Sequence, residues 1–427
     1  MAVMKHADVT LRPDPSRTVI RPFGPDYPDA YKVPGRTRRQ VIVDRVLGFS
    51  DADLQVQWQA VRQALEGDNG DVDAVLDRRW AEVADSLPEA KGCDEARRRL
   101  IGAYLSEEYA FEAAALFNPS VVLHPDQDGA PDGAIRFLMS LRAIGEGHVS
   151  SVNFRTGLWR PGGDVSVDRP SPTAVGPMVE KESDDGVTRL HLRCDDSEDI
   201  SETVLSPITP AQRRGIEDVR LVRFVEGDGT ATFYGTYTAF DGINARSELL
   251  HTPDFRAFSL QPMTGAVAAA KGMALFPRRI GGRYAMLGRQ DSENIWLIYS
   301  DDLLHWEGGE KLLGPAAPWE AVQIGNCGAP IEIDEGWLVL THGVGAVRTY
   351  SVGACLLDKA DPSKVLARSR EPVLVASPDE RNGYVPNVVY SCGGLVHDRT
   401  LLLPYGVADT LTSFATAPVD DVLAMLS

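Results

Sequence analysis

A chain of 427 residues with 43% hydrophobic and 24% charged residues is long enough for one large globular domain and a smaller one. Its 61 acidic and 43 basic side chains give a formal net charge of -18, which repels phosphate backbones and excludes nucleic acid as the expected partner. Five cysteines, Cys93, Cys194, Cys327, Cys355 and Cys392, are widely spaced without a C-x-x-C pair, so neither a zinc knuckle nor a dithiol motif is present and no metal is expected.

The opening stretch MAVMKHADVTLRPD lacks the apolar core of a signal peptide, and no later run is as apolar as a membrane span. A cytoplasmic protein with no membrane partner is therefore expected. VIVDRV at 41–46 reads as a strand or a short helical start. Beyond it, Leu54, Trp58, Val61 and Leu65 recur at helical spacing. Asp71 precedes a second run with Val72, Val75, Leu76, Trp80 and Val83, which Pro88 ends. A third run, rich in Ala, Glu, Arg and Leu, extends from Asp94 to about Leu116. The expectation is an N-terminal segment, 1–115, largely helical from about 54. It could cap the next domain or serve self-association as a homo-oligomer.

From residue 116 to 427 the texture changes to short β-prone runs punctuated by Gly, Asp, Asn and Pro, among them IRFLMSLRA, ATFYGTYTAF, IWLIYS and GWLVLTHG. IWLIYSDDLLHW and SELLHTPDFRAF echo one another, each with an aromatic residue following a polar turn. Strand groups recur at a period of roughly 50–60 residues, which suits four-stranded blades. The predicted fold class is all-β: a five-bladed β-propeller with an N-terminal helical extension.

Candidate chemistry concentrates in RRGIEDVR, where Glu217, Asp218 and Arg220 precede the strand LVRF. Alternation along a strand puts Asp218 and Arg220 on one face, and Glu217 on the other unless the strand bends. Lys271 stands in the small-residue setting AVAAAKG, with room for an anion. Arg142 closes an apolar run ahead of the polar loop IGEGHVSS, which carries His148. A cation there needs a partner or a pocket. His342, and Asp409 with Tyr405, stand near glycines that let a loop approach a ligand. No G-x-S-x-G, H-E-x-x-H or dinucleotide fingerprint occurs.

Several segments together resemble glycoside hydrolase family 130, the mannoside phosphorylases and mannosidases. They are GIEDVR, GTYTAFDG, KGMALFPRRIGGRYAMLGR, IWLIYSDDLLHW, the stretch from APWEAVQIGNCGAP to THGV, VPNVVYSCGG and YGVADT. The resemblance covers about half the chain and implies a five-bladed propeller. It implies Asp218 as the general acid, working through a sugar hydroxyl with inversion at the anomeric carbon. It places Asn118 of F-N-P near the phosphate-side cleft, Arg142 and Lys271 as phosphate-facing cations, and Asp409 as a sugar-binding aspartate. His342 and Tyr350 would line the same region, with Arg220 beside the acid.

Three positions depart from the family pattern. Gly288 stands where a histidine commonly precedes Arg289, Ser351 where an arginine is frequent, and His148 is the nearest candidate for a cation expected past Arg142. Losing an anion ligand weakens phosphate binding. The expected activity is an inverting phosphorylase of β-mannosides or related oligosaccharides, with inorganic phosphate as co-substrate and no cofactor. A hydrolase of the same family is the first alternative, with a second carboxylate such as Glu320 holding the water. A propeller that binds carbohydrate without turnover is the other.

Overall fold

The computed structural model describes residues 3–24, 26–32, 34–65, 72–184 and 187–427; Asp71 lies outside them. Two compact units divide the chain. One comprises Ser16–Phe111 with Ser171–Gly176, and the other Met1–Pro15, Glu112–Pro170 and Pro177–Ser427.

The first unit is built on the helices Arg38–Leu47, Asp51–Leu65, Val72–Ala84 and Glu95–Tyr104. VIVDRV is thus helical, entered through a capping box in which Thr37 and Gln40 satisfy each other's backbone N–H groups. Val43, Val46, Leu54, Val83, Leu100 and Ile101 are buried together, with Trp58, Val61 and Trp80 packed against them. The predicted third run is shorter than expected. Its helix stops at Tyr104, and Ser106–Ala110 is a strand paired antiparallel with Thr18–Pro22. Helix-favouring composition yields here to a tertiary pairing that uses the backbone groups of both segments.

The second unit is mostly β, with one α-helix among its described residues, Val419–Ala424. The strands Ala115–Leu123, Ile135–Ile144, Ser150–Trp159 and Val165–Val167 form an antiparallel meander. Gly215–Val225, Ala231–Phe240, Ala245–Thr252 and Ala257–Pro262 form another, extended by the hairpin Met178–Asp184 and Val187–Arg193. These two groups join through a single parallel pair, Gly215 with Ser150. A third group runs from Lys271 to Leu313 and a fourth from Gln323 to Arg368. In the last group, Lys5–Leu11 pairs with Leu411–Pro418, which pairs with Thr400–Val407.

The two echoed sequences build one kind of turn. Ser300 Oγ accepts from the N–H of Asp302 at 3.0 Å, and Trp306 is fully buried. Thr252 Oγ1 accepts from the N–H of Phe255 at 2.8 Å, and Phe258 is buried. Among the described residues, no helix is long and apolar enough to cross a membrane.

Candidate functional site

Three strands that open successive groups of the β unit are each broken near their start. Pairing shifts between Phe117 and Ser120, between Glu217 and Arg220, and between Lys271 and Ala274. Inside the breaks Asn118, Asp218 and Gly272 take left-handed φ values of 49°, 55° and 79°. Such a conformation is strained for Asn or Asp and free for Gly. A bulge inserts a residue and re-aims the side chains beside it. Glu217 and Asp218, which regular alternation would send to opposite faces, consequently meet the same cation.

That cation is Arg142. Its Nη2 donates to Glu217 Oε1 at 2.7 Å, its Nη1 to Asp218 Oδ1 at 3.4 Å, and its Nε to Ser150 Oγ at 2.9 Å. The guanidinium lies 5.3 Å from the centre of the Phe117 ring. Lys271 Nζ approaches Glu217 Oε2 to 3.7 Å while its side chain stays about half exposed. Two cations therefore converge on Glu217 beside Asp218. Asn118 Nδ2 donates to Asp218 Oδ1 at 2.8 Å.

Arg220 lies below, 2% exposed. Its Nε donates to the Cys327 carbonyl at 3.1 Å, its Nη1 to the Asp218 carbonyl at 3.2 Å and its Nη2 to the Tyr390 hydroxyl at 2.7 Å. With all three nitrogens engaged, it braces the backbone of Asp218. His342 is fully buried within the strand Gly336–Val344. Its ring centre is 4.9 Å from that of Tyr390 and 6.0 Å from that of Tyr350. Arg289 Nη1 lies 3.2 Å from His342 Nε2, and since arginine can only donate, Nε2 accepts and the proton sits on Nδ1. Gly325 permits this approach, because a Cβ there would lie 2.4 Å from Arg289 Cδ and 2.5 Å from His342 Cε1.

Asp409 follows the strand Thr400–Val407 in a turn where Ala408 and Asp409 both have positive φ, 49° and 50°. The charges around this cluster set its protonation. Burial pushes Asp218 up, but Arg142, Arg220, the Asn118 hydrogen bond and Lys271 together hold it below the usual carboxylate range. Burial, then the Asp218 charge, push Asp409 up to about 6 against the pull of Arg142 and Arg348. Burial, with the Arg289 and Arg220 charges, drives His342 well below its ordinary value, so the ring is neutral.

Of the residues singled out in the sequence, Asn118, Arg142, Asp218, Arg220, Lys271 and Asp409 thus gather in one cluster, with His342 and Tyr350 adjoining it through Tyr390. His148 lies on the exposed turn after the Arg142 strand, its ring 6.2 Å from that of Tyr384. Glu320 is placed elsewhere. It is 1% exposed, takes hydrogen bonds from the N–H groups of Ala316 and Ala317 at 2.9 and 3.0 Å, and is paired with Arg368 Nη2 at 2.5 Å. A Cβ at Gly343 would lie 2.6 Å from Glu320, so the neighbouring His342 points to the opposite side of that strand.

Sequence reasoning passed over Tyr390, whose setting VVYSC reads as core, and assigned no role to Arg289 or to Arg348. At Gly288 a Cβ would lie 2.8 Å from Met273 Sδ. The space a histidine side chain would take is filled by a methionine. Ser351 is buried opposite Gly343.

A sequence profile of glycoside hydrolase family 130, described as beta-1,4-mannooligosaccharide phosphorylase, matches residues 195–427. The chain belongs to glycoside hydrolase family 130. Within that family it is 36% identical over 229 residues to a 1,2-beta-oligomannan phosphorylase of Thermoanaerobacter sp., covering 52% of this chain and 75% of that one. It is 33% identical over 231 residues to a beta-1,2-mannobiose phosphorylase of Listeria innocua, covering 52% of this chain and 63% of that one. The solved structure of the beta-1,2-mannobiose phosphorylase from Listeria innocua, in complex with beta-1,2-mannobiose, superimposes with a TM-score of 0.54 at 23% identity. The superposition covers 74% of this chain and 92% of that one, and shows a shared fold. The matched stretch includes Asp218, Arg220, Lys271, His342, Tyr350 and Asp409, whereas Asn118, Arg142 and His148 precede it.

Proposed function

We propose that this chain is an inverting phosphorylase of β-mannosides, taking inorganic phosphate as co-substrate and releasing a sugar 1-phosphate. The observation that carries the reading is the convergence of Arg142 and Lys271 on Glu217 beside Asp218. Two cations at the edge of a carboxylate pair suit a phosphate dianion. The names of the family relatives support the same reaction class. The five strand groups are read as the blades of a propeller, with Lys5–Leu11 completing the last, and the cluster as lying over its centre.

In this reading a phosphate oxygen attacks the anomeric carbon from the face opposite the leaving group. The C–O bond breaks, its electron pair goes to the leaving oxygen, and a proton originating on Asp218 reaches that oxygen through a sugar hydroxyl. Asp218 must hold that proton although its cations favour the charged form. Phosphate resolves the conflict: its negative charge offsets Arg142 and Lys271, which raises the proton affinity of Asp218. The co-substrate would thus arm the acid as well as supply the nucleophile. Arg220 fixes the acid's backbone, Asn118 orients its carboxylate, and Asp409 and Tyr350 contact sugar hydroxyls, with neutral His342 packed behind Tyr350 and Tyr390.

Hydrolysis is the second reading, favoured by Gly288 and Ser351 at positions where the family pattern carries further anion ligands. It requires a carboxylate to hold water on the far face, and Glu320 is tied to Arg368 instead. Incubation with β-1,2- and β-1,4-linked manno-oligosaccharides, with and without inorganic phosphate, separates the two by product mass. Mannose 1-phosphate formed only with phosphate establishes phosphorolysis. Free mannose at equal rates in both establishes hydrolysis and overturns the proposal.

A further inference from the structure

We propose that Tyr384, with His148 beside it, forms a shelf that stacks against a second sugar ring of the oligosaccharide, next to the ring held at Asp218 and Asp409. The proposal rests on the reading of the site as a β-mannoside site and adds a residue that sets affinity for the saccharide.

Tyr384 is 76% exposed. Every other described Tyr, Phe and Trp of the β unit is buried or half-buried. One exposed ring means little in itself; its placement and anchoring give it meaning. The Tyr384 N–H donates to Thr410 Oγ1 at 3.0 Å and the Val385 N–H to the Ala408 carbonyl at 2.9 Å. Both acceptors belong to the turn that carries Asp409. Gly383 packs so tightly on that turn that a Cβ would lie 2.5 Å from Ala408 Cβ. Three residues further on, the Asn387 carbonyl accepts from the N–H of Tyr350 at 3.0 Å. The exposed ring is therefore held by a backbone anchored at both ends to the candidate site.

The neighbouring ring extends the surface. His148 lies on the turn that follows the Arg142 strand, and its ring centre is 6.2 Å from that of Tyr384, tilted by 31°. Both rings are open to solvent. Pyranose rings carry an apolar C–H face and polar edges, which matches an aromatic plane fringed by a phenol hydroxyl and an imidazole. Such a shelf binds a sugar and takes no part in bond breaking, so it acts on KM and leaves kcat alone.

The test compares wild type with Tyr384→Ala and Tyr384→Phe, measuring KM for mannobiose and mannotriose and KM for phosphate separately. In Tyr384→Ala the saccharide KM rises about tenfold, roughly the loss expected for truncating an aromatic anchor. The phosphate KM and kcat stay within about twofold of wild type, the melting temperature is unchanged, and Tyr384→Phe restores the saccharide KM. Should Tyr384→Ala lose its melting transition, Tyr384→Leu, which retains bulk without a ring, takes its place with the same expectation. An active wild type whose saccharide KM is indifferent to these changes overturns the shelf alone. A wild type that neither binds nor converts any manno-oligosaccharide overturns the β-mannoside reading and the shelf with it.

Discussion

Asn118 and Asp218 are 100 residues apart in sequence, both adopt left-handed backbone, and the amide of one donates to the carboxylate of the other at 2.8 Å. Each stands in a bulge near the start of its strand, so the carboxylate and the amide that holds it are displaced by the same local device. Backbone strain of order 1–3 kcal/mol per residue is typical of such sites and persists only where the surrounding sheet enforces it. In both strands the sheet resumes regular pairing directly after the break.

Replacing the acid tests its role most directly. Asp218→Asn keeps the volume and the Asn118 contact, so the circular dichroism spectrum is expected to match wild type. Turnover of an unactivated manno-oligosaccharide falls by about 10²- to 10⁴-fold, the usual contribution of a general acid. Retention of more than about a tenth of wild-type kcat would remove Asp218 from the proton-transfer step.

Lys271 separates phosphorolysis from hydrolysis within one variant. Its side chain is half exposed and its ion pair with Glu217 is loose at 3.7 Å, so Lys271→Ala folds normally. A phosphate ligand lost there raises the phosphate KM by about 10-fold or more, since charge-assisted contacts contribute about 1.5–3 kcal/mol each. The saccharide KM is expected to change little. Steady-state kinetics with each substrate varied in turn decides the matter.

Asp409 gives a pH-dependent prediction about stability. Its carboxyl titrates near 6 in the folded chain, against roughly 3.9 in the unfolded chain. Between those values the native state holds a proton that the unfolded state has released, so this residue's contribution falls as pH rises through that window. Above about pH 6 its charge is a net destabilising element, which Asp409→Asn removes. The variant is expected to be more stable than wild type at pH 7.5, by about 1–3 kcal/mol after allowance for its partial exposure. The gain vanishes near pH 4. Thermal melts at the two pH values check it; a gain of equal size at both would point to packing.

Gly325 makes room for the Arg289–His342 contact. Gly325→Ala places a methyl within 2.5 Å of both side chains, and overpacking of this kind costs about 1–3 kcal/mol. The expected result is a lower melting temperature together with a raised saccharide KM, because the His342 ring packed against Tyr350 and Tyr390 must shift. A crystal structure of the variant with His342 unmoved would show that the site tolerates the methyl.

The sequence made parts of this arrangement legible and concealed others. The change from helical to strand-like texture is visible in the spacing of apolar residues. Regular alternation separates Glu217 from Asp218 unless the strand bends; no residue type announces a bulge at Asp218, and only the paired strand reveals it. The segment after Tyr104 has helix-favouring composition, yet Ser106–Ala110 pairs with Thr18–Pro22, a partner that periodicity cannot supply. Glu320 reads as a candidate second carboxylate near a family motif, and only the fold brings Arg368 to it.

One pairing bears on how the chain is made. Lys5–Leu11 is hydrogen-bonded to Leu411–Pro418, and His6 meets Tyr405 across 399 residues at 2.8 Å. During synthesis the first of these strands leaves the ribosome long before its neighbour exists, and must wait unpaired while the other sheets are assembled. Contacts between segments so far apart form late, because the loop they close carries a large entropy cost. Until the later strand emerges, the waiting strand has open edges able to pair with the same segment of another nascent chain. The Lys, His and Asp of KHADVTL put charge and polarity on that waiting strand, which keeps it soluble for the interval.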